Sequence, residues 1–107
     1  MKTSDWKDLE LYNNTEGKKK RFELDVDNQI AFIEYIQTTK GVVYLTHTEV
    51  PRSLEGKGVG SALVSKTIAY LISENLLLAP LCPFVAAYLK RHPEIGKDIL
   101  APGFAIG

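Results

Sequence analysis

The chain has 107 residues, no net formal charge and 45% hydrophobic residues, which is the composition of an ordinary globular domain with one core. Because Lys and Arg balance Asp and Glu, no overall field steers the chain toward nucleic acid or a membrane. A single cysteine excludes an intrachain disulfide and a cysteine-based zinc cluster. The sequence shows no signal-peptide pattern and no membrane-spanning apolar run. We therefore expect a cytoplasmic protein that binds neither nucleic acid nor membrane.

The first half of the chain alternates polar and apolar side chains with a period of two, which predicts β-strands. Residues 1–8 are polar and are expected to form a flexible tail. A short strand is predicted over residues 9–12 and a turn over residues 13–17. Further strands are predicted at residues 21–26, 29–37 and 42–50, and their short connections, including the Asp27–Asn28 turn, favour an antiparallel meander.

Two details of these strands bear on the later argument. Apolar residues occupy both faces of the strand at residues 29–37, which predicts a central strand covered on both sides. Strict alternation places His47 and Glu49 on the same face of their strand as Val43 and Leu45.

The second half of the chain is helical with one strand between two helices. An apolar stripe beginning at Val59 predicts a helix that ends near Asn75. Residues 76–79 are wholly apolar and suit a short buried strand. Pro83 suits the first position of a second helix, which Pro93 stops. Four strands, a helix, a strand and a helix predict an α+β (or α/β layered) domain in which the last strand lies parallel to the fourth. If those two strands splay apart, a cleft opens beside the intervening turn.

That turn carries three alternating glycines, Gly56, Gly58 and Gly60, between the fourth strand and the first helix. Glycine lets the backbone approach a ligand closely because it has no Cβ. The first N–H groups of the following helix lack partners within the helix, and the helix dipole favours an anion there. The segment is therefore predicted to hold phosphate by its main chain, the alternative being a tight turn with close helix packing.

The order of these elements, with the glycine turn, resembles the GNAT N-acetyltransferase superfamily. The segments His47–Pro51, Cys82–Val85 and Arg91–Glu94 resemble more narrowly the compact GCN5-like acetyltransferase group, a minimal version of that fold. The resemblance covers residues 9–95. It implies a GNAT-like N-acetyltransferase domain over residues 9–100, with splayed strands.

The resemblance implies that acetyl-coenzyme A is bound by the glycine turn and the strand edge before it. The residues implied in cofactor binding are Val50, Gly56, Lys57, Gly58, Val59, Gly60, Ser61 and Cys82. For Ser61, helix capping is the alternative. Glu55 stands where the superfamily carries Arg or Gln, and a carboxylate near a pyrophosphate is unfavourable by about 1 kcal/mol at about 4 Å in water. Arg52 or Lys57 could offset it.

Four residues are candidates for catalysis: Cys82, Tyr88, Glu49 and His47. Cys82 either forms an acetyl-cysteine or lines the acetyl pocket, with a buried structural thiol as the alternative. Tyr88 either protonates the leaving thiolate or packs in the core. Glu49 or His47 could deprotonate an amine, unless they are a solvated glutamate and a core histidine.

The remaining basic residues are interpreted from their positions in the sequence, and the function is what the resemblance implies. Arg91 and His92 are expected to cap the second helix, with a phosphate contact as the alternative. Two histidines this far apart in sequence argue against a metal site. The function implied is acetyl transfer from acetyl-coenzyme A to a primary amine, either a small amine or a protein lysine, by direct attack. The alternatives are a non-catalytic acyl-coenzyme A-binding or regulatory module and a protein-interaction domain.

Overall fold

The computed structural model describes residues 9–105, in which a five-stranded sheet carries two α-helices. The strands are β1 (Tyr12–Asn14), β2 (Lys20–Val26), β3 (Gln29–Gln37), β4 (Val42–Glu49) and β5 (Leu77–Pro80), and the helices are α1 (Val59–Ser73) and α2 (Pro83–Arg91). Single 3₁₀ turns lie at Arg52–Leu54, Pro93–Ile95 and Lys97–Ile99. None of the described helices is both long and apolar enough to cross a membrane. The flexible tail predicted for residues 1–8 lies outside the described residues.

Strands β1 to β4 form the predicted antiparallel meander, in sheet order β1-β2-β3-β4-β5. Asp27 and Asn28 adopt left-handed backbone, with φ of 52° and 66°, as a two-residue hairpin turn requires. The first strand was predicted too early. Asn13 and Asn14 belong to it rather than to a turn, because they pair with Phe22 and Arg21 of β2.

Within residues 9–105, other elements cover strand β3 on one face only, so the prediction of a strand covered on both sides is wrong. Ala31, Ile33 and Tyr35 are buried, whereas Ile30 and Ile36 on the other face are 41% and 62% exposed. Both helices pack on the first of these faces, which we call the helix face, and the opposite one is the open face. Apolar residues on two faces of a strand therefore do not imply two covering layers.

A β-bulge interrupts the pairing of β3 with β4. Tyr35 pairs with Leu45 but its neighbour Glu34 pairs with His47, so Thr46 is the extra residue. The Thr46 hydroxyl donates a hydrogen bond to the Glu34 carbonyl at 3.2 Å. A bulge shifts the alternation by one residue. It therefore exchanges the faces of the last three residues of β4.

The prediction that His47 and Glu49 share a face with Leu45 is consequently wrong. His47 and Glu49 pair with Glu34 and Phe32 on the open face, and Thr48 pairs with the buried Ile33 on the helix face. The sequence gives no period-two signal for this change because the bulged segment is polar throughout.

Helix α1 crosses over from β4 to β5, which run parallel, as predicted. Its buried side chains join one core with those of the sheet and α2. The pairing of β4 with β5 ends at Leu45 and Pro80, although β4 continues to Glu49. After a last backbone hydrogen bond, from the Cys82 N–H to the Leu45 carbonyl at 2.8 Å, no described strand pairs with this edge of β4. The predicted cleft between the two strands is therefore confirmed.

Candidate functional site

The glycine turn leads into α1 in a conformation that favours glycine. Gly56 and Gly58 have φ of 78° and 87°, in the left-handed region where other residues are strained. Gly58 is the N-cap of α1, and its carbonyl accepts the Ala62 N–H at 3.0 Å. The first N–H groups of the helix, beginning at Val59, have no acceptor within the helix. They are available to a ligand beside the turn.

A cavity of about 570 Å³ lies at this turn, a volume within the usual range for a small-molecule site. Its lining residues are Thr48, Val50, Leu54, Glu55, Gly56, Gly58, Val59, Gly60, Ser61, Phe84 and Arg91. They come from the end of β4, the glycine turn, the start of α1 and one side of α2. The cavity therefore joins an anion-binding helix terminus to the unpaired edge of β4.

The structure brings most of the predicted cofactor-binding residues to this cavity. Val50, the three glycines, Val59 and Ser61 line it. Lys57 lies within the turn but is not one of the described lining residues. Cys82 is also absent from the described lining, since it is only 4% exposed and belongs to the core.

Phe84 is a lining residue that the sequence did not identify. A Cβ placed on Gly60 would lie 2.5 Å from the tip of the Phe84 ring, closer than non-bonded carbon atoms approach. Glycine at position 60 therefore allows α2 to bring this aromatic ring against the first turn of α1. Phe84 is 41% exposed and forms an apolar wall of the cavity.

The cavity carries two opposite formal charges, on Glu55 and Arg91. The sequence favoured Arg91 as a helix cap, but its position on the cavity supports the alternative of a phosphate contact. Arg91 and Phe84 are seven residues apart on α2, a spacing that places both on one helix face. That spacing is the signal by which the sequence could have placed Arg91 beside Phe84.

Thr48 and Cys82 are joined across the gap between β4 and β5. The Thr48 Oγ1 lies 3.1 Å from the Cys82 Sγ, within hydrogen-bond distance for sulfur. Thr48 lines the cavity, whereas Cys82 lies behind it in the core. Thr48 was not a predicted site residue, because only the bulge turns its side chain to the helix face.

His47 and Glu49 form a pair on the open face. The His47 Nε2 lies 2.9 Å from the Glu49 Oε2, and their side chains are 52% and 57% exposed. Neither is among the residues that line the cavity. The two nevertheless flank Thr48 in sequence, so the pair lies on the opposite face of the strand end that borders the cavity.

Tyr88 is placed in the core of α2 rather than on the cavity. It is 8% exposed, and its ring lies 4.7 Å from that of His92. The structure therefore places Tyr88 against His92 and in the same buried core as Cys82, behind the cavity lining. Among residues 9–105, no group of three or more His, Cys, Asp or Glu side chains could hold a metal ion.

The cavity offers backbone N–H groups at a helix terminus, left-handed glycines and Arg91, groups of the kind that bind an anion. Comparison with known proteins identifies the family. Residues 21–99 match the family described as GCN5-related N-acetyl-transferase. The chain is also 30% identical over 67 residues to Protein NATD1 of Gallus gallus, Mus musculus and Homo sapiens. The matched region is 63% of this chain and 58–59% of those relatives, so the chain spans less than two thirds of their length. The chain belongs to the GCN5-related N-acetyltransferase family.

Proposed function

We propose that the domain binds acetyl-coenzyme A in the cavity and transfers its acetyl group to a primary amine by direct attack. The observation that carries this proposal is the continuity of the cavity. It extends from the left-handed glycine turn at the start of α1 to Thr48 and Val50 at the unpaired end of β4. A diphosphate at one end and an extended arm along a strand edge match these two parts.

Each part of the cavity has a distinct role in this proposal. The N–H groups of the α1 terminus and the Arg91 guanidinium hold the phosphates, and Phe84 provides an apolar wall. The free edge of β4 near Val50 binds the pantetheine arm by main-chain hydrogen bonds. Bound acetyl-coenzyme A supplies a thioester as the acetyl donor. The protein's contribution is then to fix the thioester beside the acceptor.

The acceptor amine approaches from the open face of the sheet in this proposal. The His47–Glu49 pair is exposed there and accepts the proton that the amine loses as it attacks. The cofactor occupies the helix face of the same strand end, so donor and acceptor meet at the gap from opposite sides. Tyr88 does not line the cavity, so a water molecule returns the proton to the thiolate. Cys82 is buried and does not line the cavity, so the proposed route forms no acetyl-cysteine.

A second function, that of a non-catalytic acyl-coenzyme A-binding module, is favoured by two observations. Glu55 lines the cavity, where it opposes the phosphates, and Tyr88 does not reach the lining. Such a module would bind the cofactor and release no thiol with any amine.

An assay of free thiol released from acetyl-coenzyme A separates these functions. We expect release in the presence of a panel of polyamines, small amines and lysine-containing peptides, and we expect Cys82→Ala to keep measurable turnover. Binding by calorimetry without any thiol release would instead support the non-catalytic module. Absence of binding would exclude both functions, and loss of all turnover in Cys82→Ala would contradict direct transfer.

A further inference from the structure

Thr48 is the polar side chain that the bulge of β4 turns toward the cavity. It pairs with the buried Ile33 and lines the cavity beside the gap. The neighbouring side chains of His47 and Glu49 lie on the other face of the strand. Thr48 thus places a hydroxyl on the part of β4 that lines the cavity. This part lies at the end of the cavity away from the glycine turn, where the acyl group of a bound cofactor would lie.

Cys82 fixes the position of that hydroxyl. The Cys82 backbone is held by its N–H bond to Leu45 and by its carbonyl, which accepts the Ala86 N–H at 3.0 Å in the first turn of α2. Its side chain is buried, and its Sγ lies 3.1 Å from the Thr48 Oγ1. A thiol held in this way can accept a hydrogen bond from the Thr48 hydroxyl or donate one from its S–H to the hydroxyl oxygen.

The two arrangements differ in what Thr48 offers to a ligand. If Thr48 donates to the sulfur, its only hydrogen is used within the protein. If Cys82 donates to the hydroxyl oxygen, the Thr48 hydrogen is free to point into the cavity. A thioester oxygen accepts hydrogen bonds and cannot donate them, so a bound thioester selects the second arrangement.

We propose that Thr48 is a catalytic residue whose hydroxyl donates a hydrogen bond to the thioester oxygen, and that Cys82 is a positioning residue that orients this hydroxyl. This inference rests on the proposed function. Negative charge grows on that oxygen when an amine attacks the carbonyl carbon, and a preorganised donor stabilises it. The Thr48 proton stays on Thr48 throughout, and neither residue is acylated. The proton lost by the amine leaves on the open face.

A vibrational measurement tests the hydrogen bond without an acceptor. Acetyl-coenzyme A labelled with ¹³C at the thioester carbonyl is bound to the protein, and the carbonyl stretch is recorded by difference infrared spectroscopy. We expect a band at lower frequency in wild type and in Thr48→Ser than in Thr48→Val, with calorimetric affinity within about threefold in all three. Val has nearly the shape of Thr and carries a methyl group in place of the hydroxyl. Equal frequencies in wild type and Thr48→Val would overturn the inference while leaving the proposed function intact.

A double-mutant cycle tests the role of Cys82. Loss of an oxyanion donor lowers turnover by about 10²-fold or more, and we expect this for Thr48→Val. Cys82→Ala should shift part of the carbonyl band up to the frequency seen in Thr48→Val. Cys82→Ser should restore the wild-type frequency. In the Thr48→Val background, Cys82→Ala should change the band no further. A further shift of the same size would show that Cys82 does not act through Thr48. If wild type fails to bind acetyl-coenzyme A, the proposed function falls, and this inference falls with it.

Discussion

At the scale of single residues, Glu55 and Arg91 place two opposite charges on the cavity. A phosphate near both is attracted by the guanidinium and repelled by the carboxylate. Because both side chains are exposed, solvent screens each interaction and neither dominates the affinity. Backbone N–H groups at the start of α1 are fixed by the fold and are not screened in this way. In the proposed function, the side chains therefore tune an affinity that the main chain provides.

Charge substitutions should move the affinity in opposite directions. One unit charge about 4 Å from a phosphate is worth about 1 kcal/mol in water, which is about fivefold in Kd. We expect Glu55→Gln to tighten acetyl-coenzyme A binding by up to this factor and Arg91→Gln to weaken it similarly, as measured by calorimetry at low salt. Lys40→Gln, an exposed residue in the turn between β3 and β4 and outside the lining, is the control. Equal effects of Lys40→Gln and Arg91→Gln would show that Arg91 does not contact the ligand.

Tyr35 is a buried titratable group outside the lining of the cavity. Its hydroxyl donates to the Asn13 Oδ1 at 2.6 Å, and its ring stacks on Phe22 with centroids 4.2 Å apart. Burial raises the pKa of Tyr35 above its ordinary value of 10.0 and is the largest effect, and the neighbouring Tyr70 raises it further. The folded state therefore holds this proton more tightly than the unfolded chain does.

The stability from this group should be present below pH 10.0, its ordinary pKa, and should fall as the pH rises above that value. Tyr35→Phe removes the hydrogen bond to Asn13, which we expect to cost about 1 kcal/mol at neutral pH, and it should also make the alkaline loss of stability shallower. Urea unfolding across the alkaline range checks both effects. The prediction fails if Tyr35→Phe matches the wild-type pH dependence. At neutral pH, Tyr12→Phe on the surface should cost much less, since Tyr12 is 55% exposed.

At the element scale, the bulge of β4 decides which side chains reach the cavity. The strand itself, its neighbours and the glycine turn could all be predicted from the sequence, because their signals are local: alternation, turn residues and a helical stripe. The face of the last three residues of β4 could not be predicted. One extra residue, Thr46, exchanges the faces to which their side chains point. The Thr46 hydroxyl donates a hydrogen bond to a carbonyl on β3 that is distant in sequence.

The same limit applies to α2. Its start at Pro83 was predicted from the proline, but the burial of Tyr88 and the cavity positions of Phe84 and Arg91 depend on how the helix packs. Gly60 of α1 leaves room for the Phe84 ring, but a single glycine in the sequence does not show which side chain of a later helix approaches it.

Helix α1 contributes to the core through its inner face alone. Leu63 is fully buried, whereas Ile72 on the same helix is 50% exposed. We expect Leu63→Ala to lower the free energy of unfolding by about 2–5 kcal/mol because it leaves a cavity. The matched control, Ile72→Ala, should cost less than about 1 kcal/mol. Chemical denaturation measures both, and comparable losses would contradict the placement of α1 on the sheet.

At the scale of the whole molecule, the two faces of the sheet have different roles. The helix face holds the core and the cavity. On the open face, side chains contact one another. Arg21 lies 4.1 Å from the centroid of the Phe32 ring and forms an ion pair with the buried Glu23 at 2.8 Å. The gap at the end of β4 borders both faces. In the proposed function, the acyl donor and the acceptor amine reach this gap from opposite faces of the sheet.

The central claim is that backbone groups of the glycine turn hold the cofactor phosphates. Gly58 and Gly103 both have left-handed φ, 87° and 92°, so a side chain at either position is strained to a similar degree. Of these two glycines, only Gly58 lines the cavity. Calorimetric titration of acetyl-coenzyme A into Gly58→Glu and Gly103→Glu therefore separates the loss of the site from the loss of stability. We predict no detectable binding to Gly58→Glu and near wild-type affinity for Gly103→Glu, and wild-type affinity in Gly58→Glu would contradict the account.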